Sequence, residues 1–179
     1  MTIKPQNHKD SVLLVEDEMS LNQETKIKNI WYFKGREPLI EAKRKGRNQS
    51  FYGALNLKNG KETAITVKRQ NSKASIGFLK KLGETYHNRK IFLIWDNASW
   101  HKSKLIKAFL KTTKQFTLMN FPPYTPEFNP QEQIWKALRQ NVTHNRFEKD
   151  FDVLIKDCLK YLNRNNFKSI KFESLFGRD

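Results

Sequence analysis

Residues 91–95 (IFLIW), followed directly by Asp96 and Asn97, decide the fold that the sequence predicts. They form the most continuous apolar run in the chain, which is typical of a strand covered on both faces. Such a strand lies inside a sheet that has helices on it, and this one delivers a carboxylate at its end. The segments on either side agree with that architecture.

Downstream of this strand, helical and strand-like patterns alternate. Residues 116–121 predict a strand, residues 122–126 (PPYTP) a rigid loop, and a helical pattern resumes at Pro130. Two further amphipathic helices are indicated by apolar residues at helical spacing: Leu105, Ile106, Phe109 and Leu110 in one, and Phe151, Leu154, Ile155, Cys158, Leu159 and Leu162 in the other.

Upstream, strand-like runs come before a single helix. The runs are residues 11–15 (SVLLV), 30–33, 51–57 (FYGALNL) and 63–68. An Asn-Gly pair at positions 59 and 60 predicts a hairpin between the last two. The helix follows Ser72, a candidate cap, and carries Phe78, Leu79, Leu82 and Tyr86. This order predicts an α/β protein with one mixed sheet and helices packed on it.

Composition restricts the function classes. The chain has 179 residues, which suits one domain, and its 34 Lys and Arg against 18 Asp and Glu leave a net charge of +16. Nucleic acid is the most common polyanionic partner of such a protein. One cysteine, Cys158, excludes an intrachain disulfide and a multi-cysteine metal site. No apolar run is long enough to span a membrane and the first residues are polar, so we expect a cytoplasmic, nucleoid-associated protein.

Three acidic residues lie at the predicted ends of elements. Asp17 follows the first strand, Asp96 follows residues 91–95, and Glu132 lies in the first turn of the helix that begins at Pro130. Strand-end carboxylates can converge in one crevice, where hard divalent cations take oxygen ligands. Two such ions serve in-line phosphoryl transfer.

Each acid also has a purely structural interpretation. Asp17 lies in a Glu-Asp-Glu cluster that suits a solvated strand end, and the alternation of side chains does not distinguish it from its neighbours. Asp96 and Asn97 suit an ordinary turn. Glu132 completes a capping box behind Asn129 and Pro130.

The joint context of these residues resembles the catalytic core of the IS630/Tc1/mariner transposases. Residues 95–103 (WDNASWHKS) and 122–135 (PPYTPEFNPQEQIW) carry the specific part of the resemblance, with 35 residues between Asp96 and Glu132 (132 − 96 − 1). The pair Asp17-Glu18 matches the family's first acid, and residues 45–46 and 51–56 resemble its Lys-Gly and Gly-Ala segments. The resemblance covers residues 11–165.

This resemblance implies a ribonuclease H-like fold, with a mixed five-stranded sheet flanked by helices. It also implies an active site in which Asp17, Asp96 and Glu132 ligate two divalent ions, Mg²⁺ or Mn²⁺, with Asp96 bridging both. That site would cleave DNA at element ends and join the freed 3′ hydroxyl to a target. His101 matches the family histidine and is expected to orient DNA or an acid, although a histidine at the surface, where a helix starts, is an equal alternative. Trp135 is expected to anchor the helix of Glu132 in the core.

Two basic groups are candidate DNA contacts. Lys136 and Arg139 share the helical face of Glu132. A basic run upstream is expected to contact phosphates rather than bases: Lys43, Arg44, Lys45 and Arg47.

The expected partners are double-stranded DNA, at element ends and target, and a second copy of the chain. Full-length members of this family carry helix-turn-helix modules ahead of the catalytic core, whereas this chain starts ten residues before its first strand. A separate upstream polypeptide is therefore a possible partner. The expected organisation is a polar lead at residues 1–10, the catalytic domain at 11–165 and an extension at 166–179.

Two rival interpretations remain. Residues 11–18 (SVLLVEDE) look like the start of a response-regulator receiver domain, but the next strand-end Asp comes 79 positions later (96 − 17), and the only Lys-Pro pair is at positions 4 and 5. The stronger rival is a transposase-derived DNA-binding module or remnant that keeps the fold and charge without activity.

Overall fold

The computed structural model describes residues 10–29, 31–36, 39–122 and 129–169. Five strands form one sheet: β1 (Ser11–Glu24), β2 (Arg44–Asn56), β3 (Glu62–Val67), β4 (Lys90–Trp95) and β5 (Phe116–Asn120). Four α-helices accompany them: α1 (Ser72–Thr85), α2 (Lys104–Thr112), α3 (Pro130–Leu138) and α4 (Phe151–Arg164). A 3₁₀ turn, Ser99–Lys102, precedes α2, and a π-helical turn, Arg139–Thr143, continues α3.

The sheet is mixed, as predicted, with the strand order β3-β2-β1-β4-β5. β2 is antiparallel to β1 and β3, and β4 is parallel to β1 and β5. The hairpin that joins β2 to β3 is confirmed, with Gly60 at φ +70° in its turn.

The central strand β1 differs from its prediction. We expected it to end at Val15, but it runs to Glu24, because β2 pairs with it from Leu14 onwards while its pairing with β4 stops at Val15. Asp17 therefore lies within β1 and not behind it. Asp17 lies just beyond the part of β1 that pairs with β4, in the part that still pairs with β2.

Alternating residues of β1 face two separate cores. Val12 and Leu14 pack with α1 and α2, whereas Met19 and Leu21 pack with α3 and α4. This alternation is the reason that neighbouring acids of β1 point to opposite faces of the sheet.

Polar side chains cap the helices. Asn129 caps α3, as predicted, by accepting a hydrogen bond from the backbone N–H of Gln131. The cap of α1 is Asn71 and not Ser72, since the Asn71 side chain accepts from the N–H of Ala74. Asn, Asp and Ser side chains satisfy the free N–H groups of a first helical turn.

Other predicted segments have different outcomes. Residues 31–33 are exposed and do not form the expected strand, and residue 30 lies outside the described residues. Of the predicted rigid loop, only Pro122 is described. Residues 166–167 pack back on the β2–β3 turn, where the N–H of Phe167 donates to the carbonyl of Gly60 at 2.7 Å. No helix in the described part of the chain is long and apolar enough to cross a membrane.

Candidate active site

The parallel pairing of β1 with β4 brings Asp17 and Asp96 together. Val15 of β1 is level with Ile94 of β4, and each Asp comes two residues after its member of that pair. Ligand atoms of Asp17, Glu18 and Asp96 all lie within 4.8 Å of one another. The parallel pair β1–β4 thus forms an acidic crevice where β4 ends, and Glu18 belongs to it.

Asp17 faces α3 and is buried. The indole Nε1–H of Trp135 donates a hydrogen bond of 3.0 Å to its Oδ2. Burial raises the pKa of Asp17 to about 7, against the opposing effect of hydrogen bonds from the Glu18 backbone and Trp135, and the negative charge of Glu132 raises it further. Without a cation, this carboxyl group binds a proton much more tightly than an exposed Asp does.

Asp96 is half-buried and is held from several sides. Its Oδ1 accepts a hydrogen bond of 2.8 Å from the backbone N–H of Ala98 and lies 3.0 Å from Nδ1 of His101. His101 is the main cause of a lowered pKa at Asp96. The carboxylate is therefore ionised and fixed in direction.

The Asp-Asn pair serves the local backbone. Asn97 donates a hydrogen bond to the carbonyl of Phe121, and Asn120 donates to the carbonyl of Asp96. These bonds tie the ends of β4 and β5 together just behind the carboxylate of Asp96.

His101 is buried behind Asp96, with 1% of its side chain exposed. Its ring stacks on Trp95 with centroids 4.0 Å apart, and its Nε2 lies 3.2 Å from Oε1 of Glu18. That approach is too oblique for a hydrogen bond, but it suits an ion pair. Burial lowers the pKa of His101, yet Asp96 and Glu18 outweigh this effect and raise the pKa to about 9. A cationic imidazolium thus lies between two carboxylates.

Glu16 and Glu18 lie on the face of β1 opposite to Asp17. Glu18 accepts a hydrogen bond of 3.0 Å from the indole of Trp100. Glu16 is buried, and neither of its oxygens accepts a hydrogen bond from the described residues; its Oε2 lies 4.0 Å from Nε2 of His101. Burial and the neighbouring Glu18 raise the pKa of Glu16 well above its usual value, which favours the neutral acid.

Glu132 is exposed in the first turn of α3. Its carboxylate forms no hydrogen bond with the described residues, so the cap of α3 comes from Asn129 alone within that part of the chain. Glu132 lies one turn ahead of Trp135, and its charge acts on Asp17. It faces the crevice from α3 without joining the tight group formed by Asp17, Glu18 and Asp96.

A buried pair holds the start of α3 against the sheet. Nε2 of Gln131 donates a 2.5 Å hydrogen bond to Oε1 of Glu62 on β3. Burial raises the pKa of Glu62 well above its usual value, even though the hydrogen bond from Gln131 lowers it. Gly53 of β2 leaves the space for this pair, because a Cβ there would approach Glu62, Gln131 and Trp135 closer than 3.0 Å.

The predicted basic run is largely engaged within the protein. Arg47 pairs with Asp152 at 3.0 Å, Arg44 lies 3.6 Å from Glu24, and Lys43 pairs with Glu41. Lys45 lies over the ring of Phe147. Lys136 and Arg139, in contrast, have no acidic partner among the described residues.

Sequence reasoning paired Glu18 with Asp17 but did not assign it to the site, and it left three further residues out: Trp100, Glu62 and Gln131. A spacing of two along β1 places Glu16 and Glu18 on one face, and Trp100 precedes His101, so these signals were available. Glu62 and Gln131 are 69 residues apart, and no local pattern links them.

The fold and the acidic crevice define a ribonuclease H-like enzyme of the polynucleotidyl transferase class. A sequence profile described as DDE superfamily endonuclease matches residues 12–155. The chain belongs to this family, as a catalytic domain of the IS630/Tc1/mariner type of DDE transposase.

Two relatives share about a third of their aligned residues with this chain. An uncharacterised 39 kDa protein of insertion element IS630 from Shigella sonnei is 33% identical over 73% of this chain and 38% of its own length. The uncharacterised protein y4pE/y4sA of Sinorhizobium fredii is 31% identical over 63% of this chain and 82% of its own length. The match thus spans well under half of the IS630 protein.

Solved structures agree in fold. The Mos1 strand transfer complex superposes with a TM-score of 0.67 and 13% identity, over 92% of this chain and 52% of the Mos1 chain. The catalytic domain of Mos1 mariner transposase gives a TM-score of 0.58 and 10% identity, over 88% of this chain and 72% of that one. At such low identity, these likenesses show the ribonuclease H-like fold.

Proposed function

We propose that this chain cleaves DNA strands at the ends of a mobile element and transfers the freed ends into target DNA. In the first step, water attacks a backbone phosphorus and the P–O bond to the 3′ oxygen breaks, which leaves a 3′ hydroxyl. In the second step, that 3′ hydroxyl attacks a phosphorus of the target DNA, and the P–O bond to the target's own 3′ oxygen breaks. The observation that carries the proposal is that Asp17, Glu18 and Asp96 converge where β4 ends beside β1.

The donor set fits hard divalent cations, because all its ligand atoms are carboxylate oxygens. Asp17, Asp96 and Glu132 would hold two such ions, Mg²⁺ or Mn²⁺. Bound cations supply activation of the attacking oxygen and stabilisation of the leaving one. Structures of Mos1 paired-end complexes with Mn and with Mg agree with this choice of metal.

The protein's own residues prepare this site. His101 holds Asp96 ionised and in one orientation, so its role is to position an acid, and its burial keeps it from contact with DNA. Trp135 directs Oδ2 of Asp17 with its indole N–H and anchors α3 in the core. Gln131 and Glu62 fix the start of α3, which sets where Glu132 projects.

Double-stranded DNA is the proposed substrate, at element ends and target. The net charge of +16 supports it, as do Lys136 and Arg139, which have no acidic partner among the described residues. Recognition of the end sequences is assigned to helix-turn-helix modules beyond residues 11–165, on this polypeptide or another. A second copy of the chain is the proposed protein partner.

Substitution of Asp96 tests the proposal. Asp96→Asn keeps the shape of the side chain and removes a proposed metal ligand, so we expect nicking of duplex DNA with Mg²⁺ or Mn²⁺ to disappear. DNA affinity should stay within about twofold, since phosphate contacts and not the acids supply it. The measurements are plasmid nicking and fluorescence anisotropy of a labelled duplex.

A surface variant provides the control. Asp10→Asn, at an exposed residue just before β1, changes charge equally and should cut like the wild type. If the wild type binds DNA but never cuts it with either metal, with or without an added end-binding module, the chain is a binding module and the proposal fails.

A further inference from the structure

An open cleft lies between the chain segment after β1 and the end of α3, the helix that carries Glu132. Its volume is about 820 Å³. One wall is residues 27–29, and the other consists of Lys136, Gln140, His144 and Asn145. None of the described residues that line it is acidic.

Specific hydrogen bonds join the two walls of the cleft. Asn145, at φ +56°, donates its N–H to the carbonyl of Lys26 at 3.0 Å, and its Oδ1 accepts the N–H of Lys28 at 2.7 Å. Lys26 and His144 also form an isolated parallel bridge. These hydrogen bonds therefore fix the main chain at the floor of the cleft, and the lysines of its walls extend from that main chain.

The π-helical turn widens the far wall. The N–H of His144 donates to the carbonyl of Arg139, five residues back, at 2.8 Å. π-Helical turns inside helices are rare and are frequent at functional sites. Here the turn swings the chain so that His144 lies beside Lys28 and Lys26, rather than continuing along the axis of α3.

Most of the positive charges around the cleft have no acidic neighbour in the described part of the chain. Lys28, Lys136 and Arg139 have no acidic partner within the described ranges, and Lys26 alone is near one, with Glu24 at 3.5 Å. Burial, followed by the positive charges of Lys28, Arg139 and Lys26, lowers the pKa of His144. The three cations account for the part of this lowered pKa that burial does not cause, and a bound anion would offset that part.

We propose that this cleft binds the phosphodiester backbone of DNA directly beside the catalytic acids, with Lys28 and Lys136 on opposite sides of the strand. The inference rests on the proposed function and deepens it. Lys136 lies four residues after Glu132, or about 6 Å along the helix axis, so a strand held in the cleft continues to the crevice. Backbone contacts of this kind position DNA without reading its sequence.

Charge-matched variants test the cleft. Lys28→Gln/Lys136→Gln removes two charges from its walls, and Lys104→Gln/Lys107→Gln removes two from the exposed side of α2, on the other face of the sheet. Neither α2 lysine has an acidic partner in the described part of the chain. Affinity of the full chain for a short, labelled duplex is measured by fluorescence anisotropy from 0.05 to 0.3 M salt. The Debye length in this range is on the order of 10 Å.

We expect the cleft variant to lose at least about tenfold in affinity near 0.1 M salt and to lower the slope of log affinity against log salt by about two. The α2 variant should stay within about twofold. Lys28→Gln alone should already weaken binding severalfold, which separates the new wall of the cleft from Lys136. Equal losses in both double variants, or no loss in the cleft variant, would overturn the inference.

A second measurement is local to the cleft. Phosphate binding should raise the pKa of His144, read from its ring-proton NMR signal after assignment with His144→Gln, because the anion offsets Lys26, Lys28 and Arg139. An unchanged pKa at saturating duplex contradicts the inference. If the wild type cuts DNA while the cleft variant binds normally, the cleft inference alone fails; if the wild type binds no DNA, the proposed function fails as well.

Discussion

At the scale of single residues, the site is organised around a histidine that touches no solvent. His101 lies between Asp96 and Glu18, stacks on Trp95, and keeps the proposed metal ligand Asp96 ionised. Asp17, one strand away, has no cationic partner among the described residues, and burial raises its pKa to about 7. The two proposed ligands thus have different affinities for protons, which their surroundings determine.

Removing the imidazole tests its positioning role. We predict that His101→Ala raises the Mn²⁺ concentration for half-maximal nicking, or lowers the nicking rate, by about 10–100-fold, as is usual for partners of metal ligands. DNA affinity should not change, because His101 is buried. Metal titrations of nicking, with anisotropy alongside, measure both.

His87→Ala is the matched control, since His87 is exposed on the turn before β4. It should behave like the wild type in both measurements. A His101→Ala protein with the wild-type metal dependence, and with its melting temperature intact, would contradict the assignment.

At the scale of elements, α3 packs against the sheet at Gly53, where the missing Cβ leaves room for side chains. Glu62, Gln131 and Trp135 fill the space above Gly53, and Trp135 reaches Asp17 from there. The position of the helix that carries Glu132 thus depends on a glycine in the middle of β2. The glycine is required by close approach and not by an unusual backbone angle.

Two Gly→Ala substitutions with opposite expected effects on the free energy of unfolding test this packing. Gly53→Ala should destabilise the protein by about 1–3 kcal/mol, because the methyl group overpacks the space under α3. Gly77→Ala, in α1 with nothing within 4 Å of its new Cβ, should stabilise it by about 0.5–1 kcal/mol, since alanine favours the helix. Urea unfolding measures both; equal effects of the same sign would contradict the packing described here.

At the scale of the whole molecule, exposed apolar side chains concentrate in one segment. Seven large apolar side chains are exposed in the described part of the chain, and five of them lie between β1 and β2: Ile27, Trp31, Tyr32, Phe33 and Leu39. Exposed large apolar side chains that are concentrated in one segment are a feature of protein interfaces. This segment is the best support for the proposed association with a second copy.

We predict that Trp31→Ser/Leu39→Ser shifts the chain from dimer towards monomer in sedimentation velocity, while its melting temperature stays within a few degrees, since both side chains are fully exposed. Leu105→Ser/Val153→Ser removes the other two exposed side chains and serves as the control that should still dimerise. A wild type that stays monomeric at all accessible concentrations, with and without DNA, would contradict the proposed dimer.

The sequence alone predicted most of the architecture. Continuous apolar runs marked β4, Asn59-Gly60 marked the hairpin, and helical spacing marked the helices, because these signals are local. The length of β1 was predicted wrongly because its later half is polar, and only its pairing with β2 makes it a strand. The exposed run at residues 31–33 was predicted to be a strand because its composition favours one, but no neighbouring strand pairs with it among the described residues.

The candidate site divides in the same way. Asp17, Asp96 and Glu132 could be named from motifs and spacing, since those are properties of the chain. Tertiary structure decided which face each acid of β1 occupies, that His101 is buried behind Asp96 rather than exposed to DNA, and that Glu62 supports Gln131 from 69 residues away. The physical reason is that burial and ion pairing depend on which elements pack together, and a short stretch of sequence carries no information about its distant neighbours.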